Sequence, residues 1–372
     1  MNLPLNIIIS GGGTGGHIYP AVSIAKEILV QNPNTNILFI GANGRMEMEK
    51  VPAAGFKIKG IDIIGLQRKL TLKNLLLPYY ILKSIQQVKN IIQSFQPNAV
   101  IGTGGYVSFP VLLTAQIHKI PTYIQEQNAY AGLANKILSK KAKKIFVAFD
   151  QMDKFFPKDK IILSGNPVRN DLFNINQLKD KAFHYFHLQK TLPVVLILGG
   201  SLGSQSINNA IANNIDFFLN SPIQLIWQMG KNYYSNLPTE LSNKLQSSNI
   251  YYKDFIYEMN LAYAAADIVV SRAGASTIAE LTIIGKPAIL IPSPNVTDDH
   301  QTKNALALVQ KNAALMIKDE QATSLLIKQI QTLLEDKSLQ NALTQNIKNL
   351  AKPNAAKEIV STILNDLEKN EK

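Results

Sequence analysis

A chain of 372 residues with 38 lysines and arginines, 26 acidic residues and a formal charge of +12 is 46% hydrophobic, a composition that excludes intrinsic disorder and collagen-like repeats. At roughly 150 residues per domain the length predicts two domains, each large enough to bury its own core. No cysteine is present, which excludes a disulfide framework, a thiolate metal site and a thiol nucleophile.

The first residues, Met1 to Asn6, carry no basic run and lead directly into a strand and a glycine loop. They are not read as a signal peptide, and a cytosolic chain is expected. From there short β-branched runs alternate with longer segments of helical period, the pattern of parallel strands joined by helices, so the fold class is α/β. Strands are predicted at residues 5–10, 36–41, 56–61, 99–102, 122–124 and 145–148. Residues 90–118 lack formal charge with His118 neutral, but Pro97, Gly102, Gly104, Gly105 and Pro110 interrupt them. They do not form a spanning helix, which needs about 20 mostly apolar residues in succession. Residues 192–198 open the same scheme again, with strands at 223–227, 249–252, 268–270, 288–291 and 315–317. Near the end, Ala356, Ile359, Val360, Ile363 and Leu364 predict an amphipathic helix from Pro353 to about Leu367.

The two halves share one device: Ile7-Ile8-Ile9-Ser10-Gly11-Gly12-Gly13-Thr14-Gly15-Gly16 and Val195-Leu196-Ile197-Leu198-Gly199-Gly200-Ser201-Leu202-Gly203-Ser204. Each is a buried strand entering a glycine turn that opens a helix, so two nucleotide-fold lobes facing a cleft are predicted, with a boundary around residues 165–169. Gly11, Gly13 and Gly16 fit the dinucleotide fingerprint, but the second predicted strand ends Phe39-Ile40-Gly41-Ala42-Asn43 without the carboxylate that fingerprint needs. His17 stands where a P-loop would place lysine. What remains is backbone N–H groups at helix starts, suited to an anion or polar ligand, with the Ser201 hydroxyl added in the second loop. Tight turns alone would also use glycine, but five glycines in six residues exceed that need.

His17 follows the first loop directly, where an imidazole can take a proton at cytosolic pH. Ser271-Arg272-Ala273-Gly274-Ala275-Ser276-Thr277-Ile278-Ala279-Glu280 is a small-residue turn entering a helix, with Glu280 one turn beyond Ser276 on the same face. A carboxylate on an otherwise apolar helix suits the two hydroxyls of a ribose, the plain alternative being a solvated glutamate. Asp298-Asp299-His300-Gln301 reads as a capped helix start.

These residues carry a resemblance. Gly12-Gly13-Thr14-Gly15-Gly16-His17, Gly104-Gly105-Tyr106-Val107-Ser108, Glu126-Gln127-Asn128, Gly165-Asn166-Pro167-Val168-Arg169, Gly199-Gly200-Ser201, Arg272-Ala273-Gly274-Ala275 with Thr277 and Glu280, and His300-Gln301 with Asn304-Ala305 stand in the order and spacing of the MurG family. That family comprises the lipid I N-acetylglucosaminyltransferases of bacterial peptidoglycan synthesis. The resemblance covers nearly the whole chain and implies a GT-B glycosyltransferase of two Rossmann-like domains. Residues 1–168 would bind the acceptor and the membrane, joined by a C-terminal helix at 353–372 that crosses back, and residues 169–352 would bind UDP-N-acetylglucosamine (UDP-GlcNAc). It further implies that Thr14, Gly15, Gly16, Asn128, Arg169, Ser201, Ile256, Ala275, Ser276, Thr277, Ile278, Ala279, Glu280 and Gln301 contact the sugar nucleotide, and that Gly104, Gly105 and Tyr106 lie on the acceptor side. One departure stands out: Leu202 and Ser204 replace the glutamine and alanine common in the family's second loop.

The reaction implied is transfer of GlcNAc from UDP to the C4 hydroxyl of the muramoyl sugar in lipid I, with inversion. It needs a base, for which His17 is chosen and Glu126 is the next candidate, and stabilisation of the leaving diphosphate by the Ser201 loop, Arg169 and helix amino termini. No Asp-x-Asp triplet occurs, so no protein-held metal and no cofactor are expected.

Residues 63–125 contain no acidic residue but hold Arg68, Lys69, Lys73, Lys83, Lys89 and Lys119, interleaved with Leu70, Leu72, Leu75, Leu76, Leu77, Tyr79, Tyr80, Ile81 and Leu82. Lys136, Lys140, Lys141, Lys143 and Lys144 form a second basic cluster. Apolar residues rimmed by cations suit the anionic cytoplasmic face of a membrane, each cation contributing about 1 kcal/mol. A core helix with a solvated basic face is the plain alternative, and no nucleic-acid motif accompanies the charge. The expected partners are UDP-GlcNAc, lipid I, the membrane and other cell-wall synthesis proteins. Alternatives are another GT-B enzyme, such as a diacylglycerol glycosyltransferase or a UDP-GlcNAc 2-epimerase, and a non-catalytic UDP-sugar sensor, which would have no use for His17 or Gly104-Gly105-Tyr106.

Overall fold

The computed structural model describes residues 4–65, 75–200, 202–246 and 250–370. They form two compact units, one of residues 1–168 with 354–372 and one of residues 169–353.

The first unit is built on seven parallel strands: β1 (Asn6–Gly11), β2 (Asn36–Ala42), β3 (Lys57–Ile61), β4 (Ala99–Gly104), β5 (Thr122–Glu126), β6 (Lys144–Val147) and β7 (Ile161–Ile162), in the order β3-β2-β1-β4-β5-β6-β7. Their continuous apolar runs follow from burial on both faces. Ile8 packs in one layer with Leu38, Val100 and Ile124, whereas Ile7 and Ile9 enter the opposite layer with Phe39, Ile101 and Tyr123. The helix Ala355–Asn370 closes that second layer, placing Ile359, Val360, Ile363 and Leu367 in its core. Burial of such side chains contributes about 1.5–3 kcal/mol each. Strand β7 is not predicted, because two residues between a lysine-rich turn and Leu163-Ser164-Gly165 have no readable period.

The second unit repeats the plan with β8 (Val194–Leu198), β9 (Gln224–Gln228), β10 (Ile250–Lys253), β11 (Ile268–Ser271), β12 (Ala288–Leu290) and β13 (Leu315–Met316), in the order β10-β9-β8-β11-β12-β13. Every pairing in both sheets is parallel. Strand order reverses direction between β1 and β4 and again between β8 and β11. In open parallel sheets the carboxyl ends of the strands flanking such a reversal leave a crevice for ligands. The residues that follow these four strands are the glycine loops and small-residue turns singled out in the sequence.

Candidate functional site

In the first unit, the loop after β1 and the loop after β4 are interlocked backbone on backbone. Gly105 has φ +80°, and a Cβ there would lie 2.3 Å from the Gly12 carbonyl oxygen. A Cβ on Gly104, φ +99°, would lie 2.8 Å from His17 Nδ1. Gly104 and Gly105 thus let the second loop close on the first and leave room for the imidazole. Tyr106 follows them, and burial holds its hydroxyl above the ordinary phenol range.

His17 lies in the first turn of the helix Gly15–Gln31. Its Nδ1 is 2.9 Å from the Thr103 carbonyl oxygen and 3.0 Å from Gln127 Oε1, while the Thr103 hydroxyl donates to the His17 carbonyl at 2.8 Å. Gln127 is itself fixed: its Nε2 donates to the Thr103 carbonyl at 2.6 Å and to both the carbonyl and the side-chain oxygen of Gln125. Gln125 Nε2 in turn donates to Asn166 Oδ1 at 2.7 Å, and Asn166 Nδ2 donates to the Gln127 carbonyl at 3.0 Å.

Two buried carboxylates organise the same region. Glu126 accepts from the backbone N–H of Asn128 (3.1 Å) and of Gly132 (3.0 Å), and from the side chains of Asn128 (3.3 Å) and Asn135 (2.8 Å). Both oxygens are occupied, so the carboxylate holds the turn of residues 127–135 together. Glu47, fully buried at the start of the helix Glu47–Ala53, accepts from Gly13 N–H and from Ala42 N–H, each at 3.0 Å. One amide of the loop read as an anion site is therefore already given to a carboxylate of the protein. Thr14, Gly15 and Gly16 line the remaining turn, and the Thr14 carbonyl accepts from His17 and Ile18 N–H.

In the second unit Glu280, on the helix Ala275–Ile284, is mostly buried rather than solvated. Its Oε2 accepts from the Tyr263 hydroxyl at 2.9 Å and its Oε1 lies 3.5 Å from Arg169 Nε. Burial pushes its pKa above the ordinary glutamate range, against the pull of Arg169 and Tyr263. Arg169 Nε and Ser276 Oγ are buried polar atoms with no hydrogen-bond partner among the described residues. Donors and an acceptor are thus gathered at the end of β11, beside a helix amino terminus.

Several predicted contacts resolve into backbone or scaffold. Ile278 and Ala275 are buried, and so is Ile256, whose N–H donates to Gln228 Oε1 at 3.0 Å. Their side chains are thus core, and the Ile278 N–H is likewise taken, donating to the Gly274 carbonyl at 2.9 Å. Thr277 and Ala279 are partly exposed on the same helix. Gln301 Oε1 accepts from Ser293 N–H at 2.9 Å. Arg272 is a structural staple, donating to the carbonyls of Ile291 and Pro292 and to Asp319 and Ser206. Ser201 lies outside the described residues, and Leu202 beside it is exposed. Gln228, unremarked in the sequence, joins the parts: its Oε1 accepts from the Ile256 N–H and its Nε2 donates to the Gly200 carbonyl at 3.2 Å. A polar residue closing an apolar strand just before Gly230 is the signal that could have found it.

On the surface of the first unit Leu75 and Leu76, just before the helix Leu77–Phe95, and Tyr79 and Leu82 in its first turns are 52–76% exposed. Leu133 and Ile137 are exposed on the helix Leu133–Leu138. Lys83, counted among the cations of this face, is paired with Asp62 at 2.9 Å, and that pairing holds the Asp62 carboxyl down to about 2. The charge of Lys83 is therefore offset at the protein surface. Lys136 lies 4.0 Å over the Tyr130 ring. Arg68, Lys69, Leu70, Leu72 and Lys73 lie outside the described residues. Among the described residues no helix is long and apolar enough to cross a membrane.

The glycosyltransferase family 28 N-terminal domain matches residues 7–147 and the family's C-terminal domain matches residues 194–359. The chain is 52% identical, over 96% of its length and 96% of the relative, to the UDP-N-acetylglucosamine–N-acetylmuramyl-(pentapeptide) pyrophosphoryl-undecaprenol N-acetylglucosamine transferase of Flavobacterium psychrophilum. It is 50% identical to the transferase of the same name from Cytophaga hutchinsonii, over 97% of this chain and 96% of that one. The crystal structure of Acinetobacter baumannii MurG is similar at TM-score 0.76 and 29% identity, covering 97% of this chain and 100% of that chain. A UDP-GlcNAc 2-epimerase from Neisseria meningitidis, bound to UDP-GlcNAc, shares the fold at TM-score 0.66 and 17% identity, over 97% and 100%. With both domains matched and half of all positions identical to transferases along nearly their full length, the chain belongs to glycosyltransferase family 28, in its MurG branch.

Proposed function

We propose that the chain is an inverting glycosyltransferase that moves GlcNAc from UDP-GlcNAc to the C4 hydroxyl of the muramoyl sugar in lipid I, giving lipid II for peptidoglycan synthesis. The observation that carries this reading is its near-full-length identity with enzymes whose name states that transfer. The chemistry of both units supports it.

In the second unit the ribose hydroxyls donate to Glu280, and Ile256 is a further contact of the sugar nucleotide. Arg169, Ser276, Ser201 and the amino end of the helix Ala275–Ile284 take up the negative charge that develops on the diphosphate, the term that usually lowers such barriers most. Asn128, Gln301 and the turn of Thr14, Gly15 and Gly16 complete the donor contacts, and Gly104, Gly105 and Tyr106 lie on the acceptor side. The acceptor oxygen attacks C1 of GlcNAc opposite the phosphate oxygen. As the O–C1 bond forms, the C1–O bond to UDP breaks and its electron pair leaves with UDP, so the α-linkage becomes β. The acceptor proton passes to His17. Glu126, whose oxygens are held by the turn of residues 127–135, contributes by fixing that turn.

Radiolabelled UDP-GlcNAc incubated with a lipid I analogue tests the reading. Label is expected in the lipid-linked disaccharide; UDP-N-acetylmannosamine as the only product would establish the epimerase alternative instead.

The exposed leucines and tyrosine near residue 80 support a peripheral seat on the anionic cytoplasmic face of the inner membrane, where other cell-wall synthesis proteins are further partners. Binding to anionic vesicles is expected to weaken with salt, since charges are screened over about 8 Å at physiological ionic strength. Replacing Lys69 and Lys73 with Glu should weaken it further. Equal partitioning of both proteins at low salt would remove the membrane assignment.

A further inference from the structure

The geometry points to Gln127 as a positioning residue that, with the Thr103 carbonyl, holds His17 in the tautomer with the proton on Nδ1, leaving the lone pair on Nε2 as the basic site. This rests on the reading of His17 as the base and adds what prepares it.

The argument is one of donors and acceptors. A backbone carbonyl only accepts, so His17 Nδ1, 2.9 Å from the Thr103 oxygen, must carry a proton. The second contact, 3.0 Å to Gln127 Oε1, would be equivocal alone, because an amide can be turned to offer nitrogen instead. Here it is fixed from the other end. Gln127 Nε2 sits against three oxygens, those of the Thr103 and Gln125 carbonyls and of the Gln125 side chain, none of which could face an amide oxygen. Gln125 is oriented in turn by Asn166, and all three amide side chains are buried. The chain of amides therefore has a single sense, ending with an acceptor at Nδ1. In a neutral imidazole with Nδ1 protonated, the other nitrogen is the proton acceptor. The role that a carboxylate plays behind a catalytic histidine in hydrolytic triads is taken here by an uncharged amide and a carbonyl. These groups fix the tautomer without adding a negative charge.

The test uses the full-length chain labelled with 15N-histidine. Long-range 1H–15N correlation at a pH where the ring is neutral reads the tautomer directly, with His17→Gln assigning the signals. The expected result is a protonated-type Nδ1 and an unprotonated-type Nε2 in the wild type. In Gln127→Leu, checked for folding by thermal melting, the two nitrogen shifts should move toward each other. Turnover should fall roughly tenfold while KM for UDP-GlcNAc changes less than about twofold, as expected for a group acting only on the attacking step. Wild-type His17 protonated on Nε2 would overturn the inference whether or not the variant folds, and so would a folded Gln127→Leu with wild-type shifts and turnover. The base reading fails separately: an Nδ1-protonated ring that responds to Gln127→Leu, in an enzyme whose His17→Ala variant keeps its turnover, would leave the tautomer assignment standing and remove His17 from the chemistry.

Discussion

The two glycine loops begin alike, as buried strands running into small residues and a helix, yet they are braced in different ways. The loop after β1 closes on the loop after β4, its neighbour across the strand reversal, and gives the Gly13 amide to the buried Glu47. The loop after β8 closes instead on the loop after β9: a Cβ on Gly203, φ +86°, would lie 2.4 Å from the Met229 carbonyl oxygen. That carbonyl is held by Asn208 Nδ2 at 2.8 Å, and Gln228 ties the loop to Ile256. The first loop is thus partly filled from within by the Glu47 side chain, with His17 just beyond it. The second is braced from outside the strand reversal, which on the proposed reading leaves the crevice between β8 and β11 to the nucleotide. One sequence device does two jobs because its neighbours differ.

On the proposed reading attack belongs to the first unit and nucleotide binding to the second, and the largest expected effect follows. His17→Ala should cost turnover about 100- to 10,000-fold, the usual value of a general base. Affinity for UDP should barely change. A variant that lost UDP binding along with turnover would erase the division of labour between the loops, and one that kept the wild-type acidic limb in a pH–turnover profile would place the titrating base elsewhere.

Glu280→Ala should act on the other side, weakening UDP binding by about 1.5–3 kcal/mol for a charged hydrogen bond, or roughly 10- to 150-fold. Calorimetry on a folded variant checks it, unchanged affinity removing Glu280 from the ribose. The raised pKa of Glu280 gives this prediction a pH sign. Protonation sets in at higher pH than for an ordinary glutamate, so wild-type affinity for UDP should fall on mild acidification while Glu280→Gln shows no such limb. Stability runs the opposite way. The folded state holds this proton more tightly than the unfolded chain, so ionised Glu280 costs stability above its unfolded pKa and that cost fades as pH falls. At neutral pH, Glu280→Gln should therefore melt no lower than the wild type.

How far the sequence carries such arguments depends on whether a signal is periodic or tertiary. Of the thirteen strands among the described residues, twelve coincide with segments readable in the sequence, most of them apolar runs before glycine or helix-starting residues. Glu280 stands out as a lone acid on an apolar helix, and His17 by its place after a loop. Tyr263, in Leu261-Ala262-Tyr263-Ala264-Ala265, reads as core, and only the packing of the helix Met259–Ala265 brings its hydroxyl to Glu280. Gln127 reads as one letter of a motif until the amides behind it are seen. Glu47, in Arg45-Met46-Glu47-Met48-Glu49-Lys50, has the appearance of a solvated helix start. Its burial depends on β2 ending beside the first loop, a contact between segments that local spacing does not record.

Glu47 also yields the smallest and most selective prediction. Glu47→Gln preserves shape but replaces one of two acceptors with an N–H donor, so the amide of either Gly13 or Ala42 must face a donor inside the core. An unsatisfied buried group of this kind costs about 1–3 kcal/mol. Thermal melting should register that loss, whereas UDP affinity should shift by less than about threefold, or 0.7 kcal/mol, because the second unit's loop is braced independently. A melting curve identical to the wild type would mean that Glu47 does not brace the first loop. A tenfold loss of UDP affinity would mean that the first loop anchors the nucleotide as firmly as the second, and the contrast between them would then lie in His17 alone.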